Sequence, residues 1–242
     1  YDEFGLTDLT MDDLRAWVAK WFTRGNAALW IAGGPPPDGL RLDLPDGPRQ
    51  DLPAAKTVLP RTPAYFTNDI NGVGFDAVLP RGAAASAFSG VLERRLAAVL
   101  RRELGLSYTT SACYEPRDSA HAMLTAYADA LPDRRHEVAG PFVDILIDLA
   151  RGVSGADELR ALRVSAEERL ADRASSLSFL QSSAQNILTG YPLLTAAELR
   201  AELEALTVKD ISAVGREVIE TGLIMVPPGQ AVGQAGFTQA PP

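Results

Sequence analysis

One six-residue pattern occurs twice in this chain, and it constrains the architecture more than any other feature. Leu9-Thr10-x-x-Asp13-Leu14 near the start returns as Leu206-Thr207-x-x-Asp210-Ile211 near the end, an offset of 206 − 9 = 197 residues. In each copy a threonine stands three residues before an acid. At that spacing a helix-capping hydroxyl accepts from the third amide of the helix while the acid reaches back to the cap. An apolar stripe at helical spacing follows; in the first copy it is Leu14, Trp17, Val18, Trp21 and Phe22. Each helix then meets a glycine, Gly25 or Gly222, and passes into a short apolar run, Ala27–Ala32 or Leu223–Val226, expected as a strand. Capping is generic, so two copies can arise by chance. The other reading makes each copy the closing helix and strand of a repeat of about 200 residues.

On the second reading the layout is as follows. Residues 1–34 close an upstream repeat, 35–53 are a linker, 54–228 form a complete domain, and 229–242 are a disordered tail. Gly33-Gly34-Pro35-Pro36-Pro37 closes the first strand, and from there to about Pro53 the chain is rich in Pro, Gly and Asp with little periodicity. The chain opens on Tyr1 rather than Met, so a further segment is expected upstream. Within 54–228, strands are expected at Lys56–Leu59, Ala64–Thr67 and Val73–Leu79. A helix is expected over Ala83–Leu104, with Phe88, Val91, Leu92, Leu96, Val99 and Leu100 on one face. Ser107–Tyr114 and His121–Ala128 read as a strand pair. Helices are expected over Asp133–Ala150 (kinked or truly begun at Pro141), Gly155–Arg173, Ser176–Thr189, Ala196–Ala205 and Val208–Glu220.

Composition excludes several functions. A net charge of −8 leaves no broad basic surface for phosphates, so no nucleic-acid partner is expected. No run of 18 apolar residues exists, and no membrane span is expected. The single cysteine, Cys113, rules out an internal disulfide framework and suits a reducing, cytoplasmic setting. It lies in an apolar strand and is expected to be a buried, inert thiol. A catalytic zinc needs three protein ligands. Only His121 and His136 are present, in neither H-E-x-x-H nor H-x-x-E-H spacing, so no metal site is expected. There is no G-x-S-x-G and no S-x-x-K, and lysine occurs only at Lys20, Lys56 and Lys209. Glu167-Glu168 reads as a solvated helix face.

One corner remains. Leu100-Arg101-Arg102-Glu103-Leu104-Gly105-Leu106-Ser107-Tyr108 ends a helix on two arginines, turns at Gly105 and feeds a strand. A guanidinium and a phenol brought together there could donate to a peptide carbonyl or a developing oxyanion. The plainer reading is a surface arginine favourable to the helix dipole and a half-buried strand tyrosine.

The segment Arg101 to Tyr108 resembles the R-x-x-x-x-L-x-Y stretch of the insulinase/pitrilysin-like zinc metallopeptidases. It is often written R-E-x-x-G-L-x-Y in their bacterial and mitochondrial-processing-peptidase-like branch. The element order from about Leu9 to Val226 is similar too, and that family is built of homologous domains of about 200 residues. The resemblance implies an α+β domain with a mostly antiparallel sheet and helices packed on one face, paired halves forming a chamber around a peptide. In the family the zinc motif lies in the first domain of a catalytic half. The Arg and Tyr lie in the second domain of the opposite half. Carried over, Arg101 and Tyr108 would hold the substrate carbonyl and support the tetrahedral intermediate.

This sequence has no zinc motif. The resemblance therefore implies a non-zinc, substrate-binding half with no catalytic residue of its own, no bound cofactor and no activity alone. Zinc is expected on an upstream domain or on a homologous partner subunit, as in a heterodimer, and the partners are a peptide and that domain. A catalytically silent structural or assembly module of the same fold is the alternative. An unrelated α+β binding protein with an accidental motif is a third reading.

Overall fold

The computed structural model describes residues 7–54, 59–172, 176–229 and 236–240. The chain forms two compact units: Tyr1–Pro53 with Arg173–Leu193, and Ala54–Asp172 with Leu194–Pro242. The expected domain over 54–228 is thus interrupted by the segment that carries one helix, assigned to the first unit.

The second unit is built on a six-stranded sheet: β1 (Ala64–Thr67), β2 (Gly72–Pro80), β3 (Thr110–Pro116), β4 (His121–Asp129), β5 (Leu223–Val226) and β6 (Thr238–Gln239), in the order β3-β4-β2-β5-β1-β6. The pairs β3/β4, β4/β2 and β2/β5 are antiparallel; β5/β1 and β1/β6 are parallel. Alternation sets the buried face. Val73, Phe75, Ala77 and Leu79 of β2 and Ala122, Leu124, Ala126 and Ala128 of β4 are buried. Their register places a large residue opposite a small one each time: Phe75 with Ala126, Leu124 with Ala77, Leu79 with Ala122. That pairing fills the sheet's inner face without crowding.

Helices cover that face. From α2 (Ala83–Leu96) come Phe88, Val91 and Leu92, from α3 (Ala139–Arg151) Phe142, Leu146 and Leu149, and from α7 (Val208–Thr221) Ile211 and Val218, all buried. Between them in the chain, α4 (Ala156–Ala171) buries only Leu159 and α6 (Ala196–Ala205) buries nothing, so both lie on the outside. The unit is α+β, a mixed and mainly antiparallel sheet with its helices on one face. None of the described helices is long and apolar enough to cross a membrane.

Four expectations change here. The helix expected from Asp133 starts at Ala139, after a run of turns. Pro141 is then the third helical residue, where a missing amide costs nothing because first-turn amides have no helical acceptor. Cys113 is exposed rather than buried: on β3 it alternates with buried Ala112 and points to the uncovered face. The tail expected to fray from Gly229 returns to the sheet at 236–240. Phe237 is buried with its ring edge-on to Phe75, and Thr238 and Ala240 donate to Pro63 and Tyr65 carbonyls. One aromatic residue and a free strand edge are enough to anchor so short a segment. The strand pair begins later than expected, at Thr110. Most of the strand expected at Lys56–Leu59 lies outside the described residues.

In the first unit, α1 (Met11–Trp21) and α5 (Ser176–Thr189) are the helices described. The capping box of α1 forms: Thr10 N and Oγ1 donate to Asp13 Oδ2 at 2.9 and 2.6 Å, and Asp13 N donates to Thr10 Oγ1 at 3.2 Å. The same box opens α7, from Thr207 and Asp210, at 2.8, 2.6 and 3.4 Å. The stripes differ. Positions on α7 equivalent to Leu14 and Trp21 are buried Ile211 and Val218, whereas α1 has no buried residue. Ala27–Ala32 does not form the expected strand: Ala27 is extended, but no strand among the described residues pairs with the segment. An extended run becomes a strand only with a neighbour to bond. Residues 44–50 fold back on the turn after α1. Arg24 N donates to Pro45 O at 2.9 Å and Gln50 N to Asn26 Oδ1 at 3.1 Å.

Candidate functional site

The Arg101–Tyr108 corner lies within the second unit. Beyond Leu96 the helix continues through Ala97–Glu103 with π-type, five-residue hydrogen bonding, ending with Leu104 N on Val99 O at 2.9 Å. Such wide turns are rare and tend to occur at functional sites. Gly105 stops the helix at φ +59°, a left-handed conformation that suits glycine. The chain then reverses: Leu106 N and Ser107 N both donate to Leu100 O, at 2.8 and 3.2 Å. Leu100 and Leu106 are buried on either side of the turn and fix it to the core. Arg101 and Tyr108 therefore stay outside, on the same rim.

The structure brings the two together. The guanidinium carbon of Arg101 sits 5.1 Å from the centroid of the Tyr108 ring. That is within cation–π range, and among the described residues no hydrogen bond engages the Arg101 N–H donors. Among the described residues no carboxylate pairs with Arg101, and the Tyr108 hydroxyl has no protein partner. Tyr108 is 78% exposed and precedes β3, so it is not the half-buried strand tyrosine of the plainer reading. The pair borders a depression of about 330 Å³ that Leu106, Asp129, Ala130 and Leu131 also line.

Two charged groups hold the corner. Asp129, the last residue of β4, accepts Tyr108 N and Thr109 N on Oδ1, each at 2.8 Å. Arg134 donates to Gly105 O at 3.2 Å and grips Glu137 through two bonds, of 3.2 and 2.8 Å. The hydrogen bond from Arg134 holds the Glu137 carboxyl below the usual carboxylate range and raises Arg134 in turn. Burial, and then the charge of Asp129, push the neighbouring Tyr127 phenol up.

The other candidates do not converge. His121 opens β4 with Nδ1 at 3.1 Å from both oxygens of Asp118, and His136 lies in the turns before α3. Among the described residues no three His, Cys, Asp or Glu side chains are grouped to hold a metal ion, so this donor set does not fit a zinc site. Glu167 on α4 pairs with Arg200 on α6 at 2.5 Å. Sequence reasoning missed Asp129. Its signal was an acid closing an alternating strand just before Ala130-Leu131-Pro132.

Likeness to solved structures decides the fold. A peptidase M16 inactive domain from Pseudomonas fluorescens superposes with a TM-score of 0.60 at 17% identity, over 92% of this chain and 58% of that one. The fold is that of an insulinase-like (M16) peptidase half. The first half of the periplasmic protease PqqL from Escherichia coli gives 0.55 at 15% identity, over 81% of this chain and 48% of that one. A chain of complex III2 from Candida albicans gives 0.54 at 12% identity, over 91% and 59%. The chain spans about half the length of these solved chains. No family model and no curated protein matches the sequence.

Proposed function

We propose that this chain is the substrate-binding, non-zinc half of an insulinase-like metallopeptidase, supplying Arg101 and Tyr108 to a peptide-cleaving site completed by another domain or subunit. The observation that carries the reading is the Arg101–Tyr108 contact, with both side chains' donors free of hydrogen bonds among the described residues, at the rim of a depression on an M16-type half. The in-plane N–H groups of Arg101 and the Tyr108 hydroxyl would donate to the carbonyl oxygen of a bound peptide. That oxygen gains negative charge as its carbon becomes tetrahedral, so both bonds strengthen toward the transition state. Donors that bind the transition state better than the ground state raise turnover, not just affinity. The metal would belong on the other half, since among the described residues no three candidate ligands are grouped to hold it.

The second reading, a silent assembly module, draws on the likeness to an inactive domain and to a chain of complex III2. A quenched-fluorescent peptide library separates them, assayed with the chain alone and with a homologous half carrying H-x-x-E-H. The proposal expects chelator-sensitive cleavage only when both are present. A stable complex that cleaves nothing supports the assembly module. Chelator-sensitive cleavage by the chain alone refutes the non-zinc assignment.

A further inference from the structure

We infer that Asp129 is the positioning residue that sets the Tyr108 ring against Arg101; the inference rests on the function proposed for that pair. Tyr108 is mostly exposed, and its ring lies within cation–π range of the Arg101 guanidinium. Among the described residues no hydrogen bond holds its hydroxyl, so the ring's place depends on its backbone.

That backbone is held mainly by one residue, with Ser107 N also donating to Leu100 O at 3.2 Å. Ser107 Oγ donates to the Asp129 carbonyl at 2.6 Å, Tyr108 N and Thr109 N both donate to Oδ1 at 2.8 Å, and Asp129 N donates to Thr109 O at 3.0 Å. Three successive residues are tied to a single strand end by four hydrogen bonds. The two to the carboxylate are charge-assisted and short, which makes them the strong ones. Asp129 is itself fixed, because it ends the long β4 ladder in register with Gly72. The rigid sheet therefore carries the carboxylate, the carboxylate carries two amides, and the amides carry the phenol. Arg134 holds the opposite end of the corner at Gly105 but makes no bond to residues 107–109.

The role is readable in the full chain without any substrate. A proton beside an aromatic ring takes a ring-current shift, so the side-chain NMR signals of Arg101 report the contact, with Tyr108→Leu as the zero. In Asp129→Ala the Arg101 shifts should fall to the Tyr108→Leu values. Amide exchange at Tyr108 and Thr109 should quicken about tenfold or more, as loss of a hydrogen bond to a charged group implies. Asp129→Asn keeps an acceptor at the same place and should retain most of the shift, a rescue that a merely structural defect would not give. If Asp129→Ala does not fold, Asp129→Gln moves the acceptor outward by one methylene and is read the same way. Arg101 shifts that stay at wild-type values in a folded Asp129→Ala or Asp129→Gln protein overturn the inference. Collapse of the shifts with turnover of the zinc-bearing assembly unchanged leaves Asp129 as the positioning residue and refutes the function proposed for the pair.

Discussion

Replacing Gly215 by alanine sets helix propensity against helix packing, and the structure says which wins. Gly215 lies inside α7, where glycine is worse than alanine by about 0.5–1 kcal/mol in an exposed helix. Propensity alone therefore expects stabilisation. But a Cβ at 215 would stand 2.8 Å from Ala150 Cα, 2.9 Å from Ala150 N and 3.3 Å from Ala150 Cβ. The first two are backbone atoms of α3 and cannot rotate away, so the two helices must part. Overpacking of this kind costs about 1–3 kcal/mol, leaving a net loss of up to about 2.5 kcal/mol. In a domain of this size that lowers Tm by up to about 10 °C. Urea melts should show an earlier midpoint at unchanged slope. Gly90→Ala is the comparison: its new Cβ meets the Leu162 Cδ1 at 2.9 Å, the flexible end of a side chain, and should cost less. Ala150→Gly should not rescue Gly215→Ala, since the offending atoms remain. A Gly215→Ala protein that melts higher than wild type would refute the packing argument.

Other perturbations have equally definite outcomes. Arg163 donates to the carbonyls of Leu203, Glu204 and Leu206 at the C-terminal end of α6, so Arg163→Ala should cost about 1–3 kcal/mol, read as an earlier urea midpoint. Hydrogen bonds from the Thr207 side chain and amide hold the Asp210 carboxyl below the usual carboxylate range. A carboxyl lowered in the folded state stabilises above its unfolded value, and that contribution is lost as pH falls through the folded one. Thr207→Ala should therefore flatten the acid limb of the Tm-against-pH curve; an acid limb as steep as wild type would contradict the cap's role.

How far the sequence spoke depended on the range of the interaction. The buried stripe Phe88, Val91, Leu92, Leu96 and Leu100 was legible because helical periodicity is local, and so were both threonine capping boxes. The π-type turn at Ala97–Glu103 was not, since Leu96 and Leu100 suit either winding. Whether Cys113 faced helices or solvent depended on which side of the sheet was covered, a non-local outcome. Ala27–Ala32 has the composition of a strand but no partner among the described residues, and Phe237 docks by finding a distant edge. At the candidate site, motif spacing pointed to Arg101 and Tyr108. Their contact needed the Gly105 reversal, and although Asp129 closes an alternating strand, nothing local ties it to Tyr108, 21 residues away.

The central claim is tested most directly by kcat/KM for peptide cleavage when this chain is combined with a zinc-bearing homologous half. Removing one preorganised oxyanion donor from an enzyme costs about 100- to 1,000-fold. Arg101→Ala and Tyr108→Phe should each lower kcat/KM by about tenfold to a thousandfold. Both side chains are exposed, so the melting temperature should barely move. Full activity in both variants, with the assembly intact, would contradict the assignment of this pair to the cleavage site.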